Sequence, residues 1–256
     1  MPSDRQTKIF QYLAAHEKVD VGRLSDILQV SPSTVRRELT IMEQSDLLVR
    51  THGGVQLRSP ILYDSAYEQR AAHQIEAKRK IAAAARRLIR PGSVVGISGG
   101  TTCTELARQL RATQDVTIVT NALNIAVELQ GRLDRRVMMT GGLLKHDSYE
   151  LVGNLVVQNL HDVHLDLAVV GVSGIHLDFG FSVADEPEAI AGRAFMSSAD
   201  ATVIVADHSK IGKATFARLC SIAEVDTLVT DDLITPTQAA MFRDVGLQLL
   251  IADSVD

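Results

Sequence analysis

Two stretches of this 256-residue chain carry residue types at spacings that can do chemistry. One is Ser98-Gly99-Gly100-Thr101-Thr102, between the strand pattern ending at Ile97 and a helix pattern. Glycines let backbone N–H groups approach a ligand, hydroxyls add donors, and a helix N-terminus favours negative charge. A phosphate is the natural guest. Other strand patterns end in similar residues: Thr120-Asn121 after Val119, Thr140-Gly141-Gly142 after Met139, Gly171-Val172-Ser173-Gly174 after Val170, and Asp207-His208-Ser209-Lys210 after Ala206. Lysine is a common point charge at phosphate sites, and Lys210 fits that role. Any one of these loops is also what a tight turn looks like. Open parallel sheets bind ligands outside the carboxyl ends of their strands, so several such ends on one edge make a pocket. The candidate pocket residues are Ser98, Gly99, Gly100, Thr101, Thr102, Asn121, Gly142, Gly171, Ser173, Asp207 and Lys210.

The other stretch runs from Val19 to Val55. Leu24, Ile27 and Leu28 lie at helical spacing, then Val30-Ser31-Pro32-Ser33 makes a turn. Ser31 can cap the following helix, and Pro32 fits its first turn, where a missing N–H costs nothing. In that helix Val35, Leu39 and Met42 share one face, leaving Ser33, Thr34, Arg36, Arg37 and Thr40 off it. Two helices around a short turn, the second bearing arginines and hydroxyls, form a helix-turn-helix. Leu47–Arg50 and Val55–Leu57 flank Thr51-His52-Gly53-Gly54, a hairpin signal that adds a wing. A solvated helical pair would also expose arginines, but turn chemistry, residue order and wing all agree.

Three rival chemistries are weaker. Gly96-Ile97-Ser98-Gly99-Gly100 matches the nucleophile-elbow pattern of hydrolases. That fold needs several strands before the elbow, and Ser93–Ile97 is the first strand after the winged helix. His161 and His164 have a spacing metals can use, but no third ligand is evident, so no metal site is expected. Asp185-Glu186-Pro187-Glu188 opens a helix, where it can complement the dipole or bind sugar hydroxyls. Cys103 and Cys220 are far apart and form no Cys-x-x-Cys pair, so neither zinc nor a disulfide framework is supported.

The elements around these residues set the expected fold. Residues 3–16 read as an amphipathic helix through Ile9, Phe10 and Leu13, completing a winged helix-turn-helix domain over 1–57. Residues 58–75, with Ser59-Pro60 and mixed polar residues, read as a linker. Residues 76–256 read as an α/β domain, opening with a helix over Glu76–Ile89. Strand and helix patterns then alternate to the end, which implies a largely parallel, Rossmann-like sheet with helices on both faces. The formal net charge is −5, yet residues 1–58 hold eight Lys/Arg against seven Asp/Glu. The N-terminal segment is therefore no polybasic tail, and folding must place its charges, as specific docking requires. No apolar run approaches the ~18 residues that cross a membrane, and no signal-peptide pattern opens the chain, so a soluble, cytoplasmic protein is expected.

Seven or so ordered blocks resemble bacterial DeoR-type transcriptional regulators over nearly the whole chain. They are VSPSTVRRELTIME, LVRTHGGV, PGSVVGISGGTTCTELARQL, IVTNALNIAVEL, TGGLL with GVSGI, and ADHSKIGK. The resemblance implies a C-terminal domain related to sugar-phosphate isomerases that senses a phosphorylated sugar. Gly100, Thr101 and Thr102 would hold the phosphate, and Asn121, Gly142, Asp207 and Lys210 would line the pocket. Ser31, Ser33, Thr34, Arg36 and Arg37 would face double-stranded operator DNA, with Thr51 and His52 on the wing. A homo-oligomer, dimer or tetramer, follows from paired half-sites, and no cofactor or membrane partner is implied. Two positions depart from the family pattern. Ser98 stands where many members have Asp, removing an acceptor for sugar hydroxyls, and Asp46 stands where Gly commonly ends the recognition helix, predicting slight strain. An isomerase-like enzyme with an accessory DNA-binding domain is the alternative, with Asp207 or Glu188 as general base.

Overall fold

In the computed structural model the described residues are 4–15, 19–44, 48–51, 54–57, 65–111, 113, 115–130 and 136–252. The chain divides into two compact units, Met1–Gln69 and Arg70–Asp256.

The first unit holds α1 (Asp4–Ala15), α2 (Val21–Leu28), α3 (Pro32–Gln44) and a hairpin of β1 (Leu48–Thr51) and β2 (Gly54–Leu57). Local chemistry starts and stops each helix. The Asp20 carboxylate accepts from the Arg23 N–H at 2.9 Å to cap α2. Gln29, at φ 54°, ends α2 in the left-handed conformation. The Ser31 hydroxyl accepts from the Thr34 N–H at 3.3 Å to open α3. Ile9, Leu13, Leu24, Val35, Leu39, Met42, Leu48 and Val55 form one buried core. Val19 exchanges backbone hydrogen bonds of 2.9 and 3.1 Å with Val55, tying the wing to the helices. These parts make a winged helix. Of the apolar residues at helical spacing on α2, Leu24 faces fully inward, while Ile27 is 37% exposed. The hairpin pairs Thr51 with Gly54. Asp46 and His52 lie outside the described residues, and with them the strain expected at one and the DNA contact expected at the other.

The second unit follows α4 (Ser65–Ala72), in which the division between units falls. This helix lies within the stretch 58–75 read as a linker, where no helix was expected. Its AYEQRAA sequence is rich in helix formers but carries no apolar stripe, so periodicity missed it. Then come α5 (Ile75–Arg86), β3 (Val94–Ile97), α6 (Thr101–Leu110), β4 (Thr117–Thr120), α7 (Leu123–Leu129) and β5 (Arg136–Met139). Next are β6 (Leu143–Lys145), β7 (Glu150–Val152), α8 (Asn154–His161), β8 (Leu167–Gly171), β9 (Gly174–His176), β10 (Gly180–Val183) and α9 (Glu186–Ser197). Last come β11 (Thr202–Val205), β12 (Ala217–Cys220), β13 (Thr227–Asp231), α10 (Pro236–Asp244) and β14 (Gln248–Ala252). The α5 helix stops three residues short of the expected Ile89, because Arg87, Leu88 and Ile89 bond to the third residue back ahead of Pro91.

Seven strands form one parallel sheet in the order β14-β13-β11-β8-β3-β4-β5. Residues of α5, α6 and α7 pack on one face, against Val95, Ile97, Ile118, Val169 and Val203. Residues of α8, α9 and α10 pack on the other, against Val119, Ala168, Val170, Ile204 and Leu228. Alternate residues of single strands thus feed two cores, which explains their near-continuous apolar sequences. Five short strands were not anticipated: the antiparallel β6–β7 hairpin and the β9-β10-β12 sheet. Each is three or four residues long, too short for a period-2 signal to emerge.

Candidate functional site

On α3 the exposed face is set by what its acids do. Glu38 accepts from the Gln6 amide at 2.9 Å and Glu43 pairs with Arg50 at 2.9 Å. Arg36 and Arg37 are exposed and have no ion-pair partner among the described residues. Two guanidiniums are therefore left to meet an external anion. At the start of α3, Ser31 Oγ lies 2.8 Å from Ser33 Oγ and 2.9 Å from Thr34 Oγ1. Hydroxyls at a helix N-terminus suit phosphate, and arginines one turn on suit base edges. Thr51, on the wing strand β1, turns its hydroxyl to the Gly54 carbonyl at 3.4 Å.

In the sheet, the strand order reverses around β3. Its neighbour β4 leads on to β5, while β8 leads the other way. The crevice of such a sheet opens at this switch point. Ser98 and Gly171, at the carboxyl ends of β3 and β8, meet there: the Gly171 N–H donates to Ser98 Oγ at 3.1 Å. Ser98 is buried, its N–H donates to the Val169 carbonyl, and its hydroxyl otherwise lies near the Gly99 carbonyl and Cys103 Sγ, with no histidine bonded to it among the described residues. Gly100 has φ 100° and opens α6 without a side-chain cap. A Cβ added to Gly100 would meet nothing within 4 Å, so there is open space beside this residue at the start of α6.

A carboxylate does reach this loop, from an element the sequence concealed. Glu150 on β7 lies against Gly99, where a Cβ would sit 2.2 Å from Glu150 Cγ and 2.3 Å from Oε1. Only glycine permits that approach. Asn121, fully buried at the end of β4, donates from Nδ2 to Glu150 Oε2 at 3.3 Å and to the Leu151 carbonyl at 3.0 Å. Burial, with the charge of Glu188 adding to it, pushes the Glu150 carboxyl up to about 8. Lys145 on β6 bonds Asp185 at 2.5 Å and Glu188 at 2.6 Å. Burial alone would lower its pKa, but these two partners hold it above the ordinary lysine range. Of the two roles read for the acidic opening of α9, the local one is in place, since Asp185 caps the helix by accepting from the Glu188 N–H at 3.0 Å, while Glu188 itself is held by Lys145.

The remaining expected residues divide. Gly142 has φ 146° and its position is crowded by Val152, where a Cβ would lie 2.7 Å from the carbonyl oxygen. That glycine serves the β6–β7 hairpin rather than an open cavity. Ser173 donates its N–H to Ser182 and starts the side sheet. Asp207 and Lys210 follow β11, two strands or about 10 Å from β3. Their neighbour is Lys78 of α5, a buried lysine whose ammonium donates to the carbonyls of Arg70 and His73. Burial pushes Lys78 down to about 8, against the pull of Asp207. Glu150, Lys145 and Lys78 all escaped the sequence. No strand signal marked the first two, and nothing distinguishes Lys78 among the charges of EAKRK. Elsewhere, His161 pairs with Asp162, whereas His164 gathers with Asp166 and Asp200 in an exposed group of ligand atoms within 4.8 Å. His161 stands outside that group, and Asp166 also accepts the Val94 N–H at 2.7 Å, so the His-x-x-His pair itself gains no third ligand among the described residues. Cys103 and Cys220 are buried and unpaired, and burial pushes each thiol up to about 12. No helix among the described residues is long and apolar enough to cross a membrane.

Known proteins bear on both regions. The DeoR-like helix-turn-helix domain profile matches residues 5–60, and that of the DeoR C terminal sensor domain matches residues 73–232. The chain is 30% identical to the HTH-type transcriptional repressor GlcR of Bacillus subtilis, over 98% of this chain and 96% of that one. It is 31% identical to the glycerol-3-phosphate regulon repressor of Escherichia coli K12, over 90% of each. Among solved structures it is similar to ribose 5-phosphate isomerase A of Neisseria gonorrhoeae, at TM-score 0.41 and 18% identity over 54% of each chain, too slight a likeness to bear on function. Winged helix, parallel-sheet sensor and full-length relatives together place this chain in the DeoR family of DNA-binding transcriptional regulators.

Proposed function

We propose that this regulator is a repressor of a carbohydrate-utilisation operon, released from its operator by a phosphorylated sugar bound at the sheet edge. The observation that carries the proposal is the start of α6: a helix N-terminus without a side-chain cap, with open space beside Gly100, inside a DeoR sensor domain. Backbone N–H groups there, with the Thr101 and Thr102 hydroxyls, suit a phosphate. The sugar then lies toward Asn121, Ser98 and Gly171. Asp207 and Lys210 form the far wall. The names of the relatives, a glycerol-3-phosphate regulon repressor among them, support the same class of effector.

Ser31, Ser33, Thr34, Arg36 and Arg37 dock on the operator, with Thr51 and His52 on the wing. Residues 1–57 form the DNA-binding domain, 58–75 the connection, and 76–256 the sensor. The protein works in the cytoplasm as a dimer or tetramer, because paired half-sites need paired recognition helices. The effector shifts the population toward a state whose helices no longer match the half-site spacing. The protein acts as a regulator and not as an enzyme: Glu188, one of two candidate bases, is already engaged by Lys145 and by the Ala184 N–H. Fluorescence anisotropy with DNA from upstream of the protein's own operon tests this reading. Salt-dependent binding released by one sugar phosphate is expected. Turnover of a sugar phosphate without specific DNA binding would overturn it.

A further inference from the structure

We infer that the effector carries an amino group as well as a phosphate, and that Glu150 and the Asn121 carbonyl oxygen receive it. This deepens the proposed function and rests on the phosphate lying at the start of α6.

The inference begins with an unmatched set of acceptors. Asn121 is fully buried, and its Nδ2 is committed to the Leu151 carbonyl and Glu150. The Leu151 carbonyl fixes the amide orientation, since two oxygens would repel there. The Asn121 Oδ1 left over is buried and has no donor. Buried acceptors without partners are rare in native proteins and point to a missing donor. Thr140 Oγ1 and Ser148 Oγ, at the same end of the sheet, are also buried and unpartnered.

Charge points the same way. Glu150, Asp185 and Glu188 share a single nearby cation, Lys145, which bonds the latter two and approaches Asp147 at 3.6 Å. Glu150 has no cation within ion-pair distance among the described residues. Its charged surroundings are otherwise Asp185 and Glu188 from the start of α9, and the buried Cys103 thiol from α6. A cation brought beside Gly99 would let Glu150 release its proton and ionise against it. A sugar ammonium has three donors, enough for Glu150 and Asn121 Oδ1 together, where a hydroxyl has one. Such an effector is a zwitterion whose two ends match the site: phosphate toward the N–H groups of α6, ammonium toward the carboxylates of β7 and α9.

The two kinds of sugar differ in protons. Burial keeps Glu150 protonated at neutral pH in the free protein. An ammonium beside it drives that proton off, whereas a neutral sugar leaves it in place. The experiment is isothermal titration calorimetry on the full chain at pH 7, in two buffers of different ionisation enthalpy. The probes are the 6-phosphates of glucosamine, galactosamine and mannosamine, each against its hydroxyl counterpart. The expected result is one amino compound binding at least about tenfold tighter than its counterpart, with net proton release. In Glu150→Gln, the amino and hydroxyl members of that pair should bind alike, with thermal unfolding reporting that the variant folds. Equal binding of amino and hydroxyl forms by the unaltered protein, without proton release, would overturn the inference and leave the phosphate site standing. Binding of none of the six would overturn the inference and the proposed effector class together.

Discussion

The two surfaces proposed for DNA and effector are built on opposite principles. The face of α3 is a run of neighbouring residues whose cations stay exposed and unpaired, while its acids are occupied elsewhere. The proposed sensor site is assembled from the ends of β3, β4, β8 and the β6–β7 hairpin, and its polar groups are largely buried, some paired and some, Asn121 Oδ1 among them, without a partner. A surface that grips DNA needs free charge and little internal strain. A pocket that answers a small molecule needs groups held ready and a few left incomplete. Damage should therefore separate: changes on the exposed face of α3 cost DNA affinity at little cost in stability, and changes at the pocket do the reverse.

The largest separation should come from the core beneath α3. Leu39 is 2% exposed, and Leu39→Ala should cost about 2–5 kcal/mol. Two-domain thermal unfolding should then show an early transition, with DNA binding lost and effector binding kept. Arg36→Ala and Arg37→Ala should each weaken operator binding by about 1–3 kcal/mol in anisotropy titrations, with unfolding temperatures unchanged. Gly99→Ala forces a methyl into Glu150 and should cost about 1–3 kcal/mol of sensor stability, while removing the response to effector but not DNA binding. A further effect is electrostatic. Glu150 holds its proton up to about pH 8 when folded, against an ordinary value of 4.5. The native state thus keeps a proton that the unfolded chain has lost, so stability falls as pH rises through that window. Glu150→Gln should flatten the fall when urea unfolding is compared between pH 5 and pH 8. Lys78, lowered to about 8 from 10.5, acts only above that range and in the opposite sense.

The same contrast decides what could be read in the sequence. Ser31, Pro32, Val35, Leu39 and Met42 report their places directly, because cap, turn and helical period act within a dozen residues. The Gly-Gly-Thr-Thr opening of α6 was legible for the same reason. Glu150 was not: its place beside Gly99 depends on a three-residue strand, and on a fold that returns it across 51 positions. Gly142 carries the opposite lesson. Its glycine is needed for the close approach of Val152, so a residue type expected at a ligand serves the backbone instead. The acidic start of α9 could be read as a cap or as a ligand group, and only Lys145, brought in from β6, shows that it joins a buried cluster.

The most direct test is release of operator DNA by one sugar in its phosphorylated and unphosphorylated forms, measured by anisotropy on the unaltered protein and on Gly99→Ala. The expected result is dissociation by the phosphorylated form alone, and by neither form in the variant. Operator complexes that ignore every sugar phosphate, or that respond equally without the phosphate, would contradict a phosphate-sensing site at the start of α6.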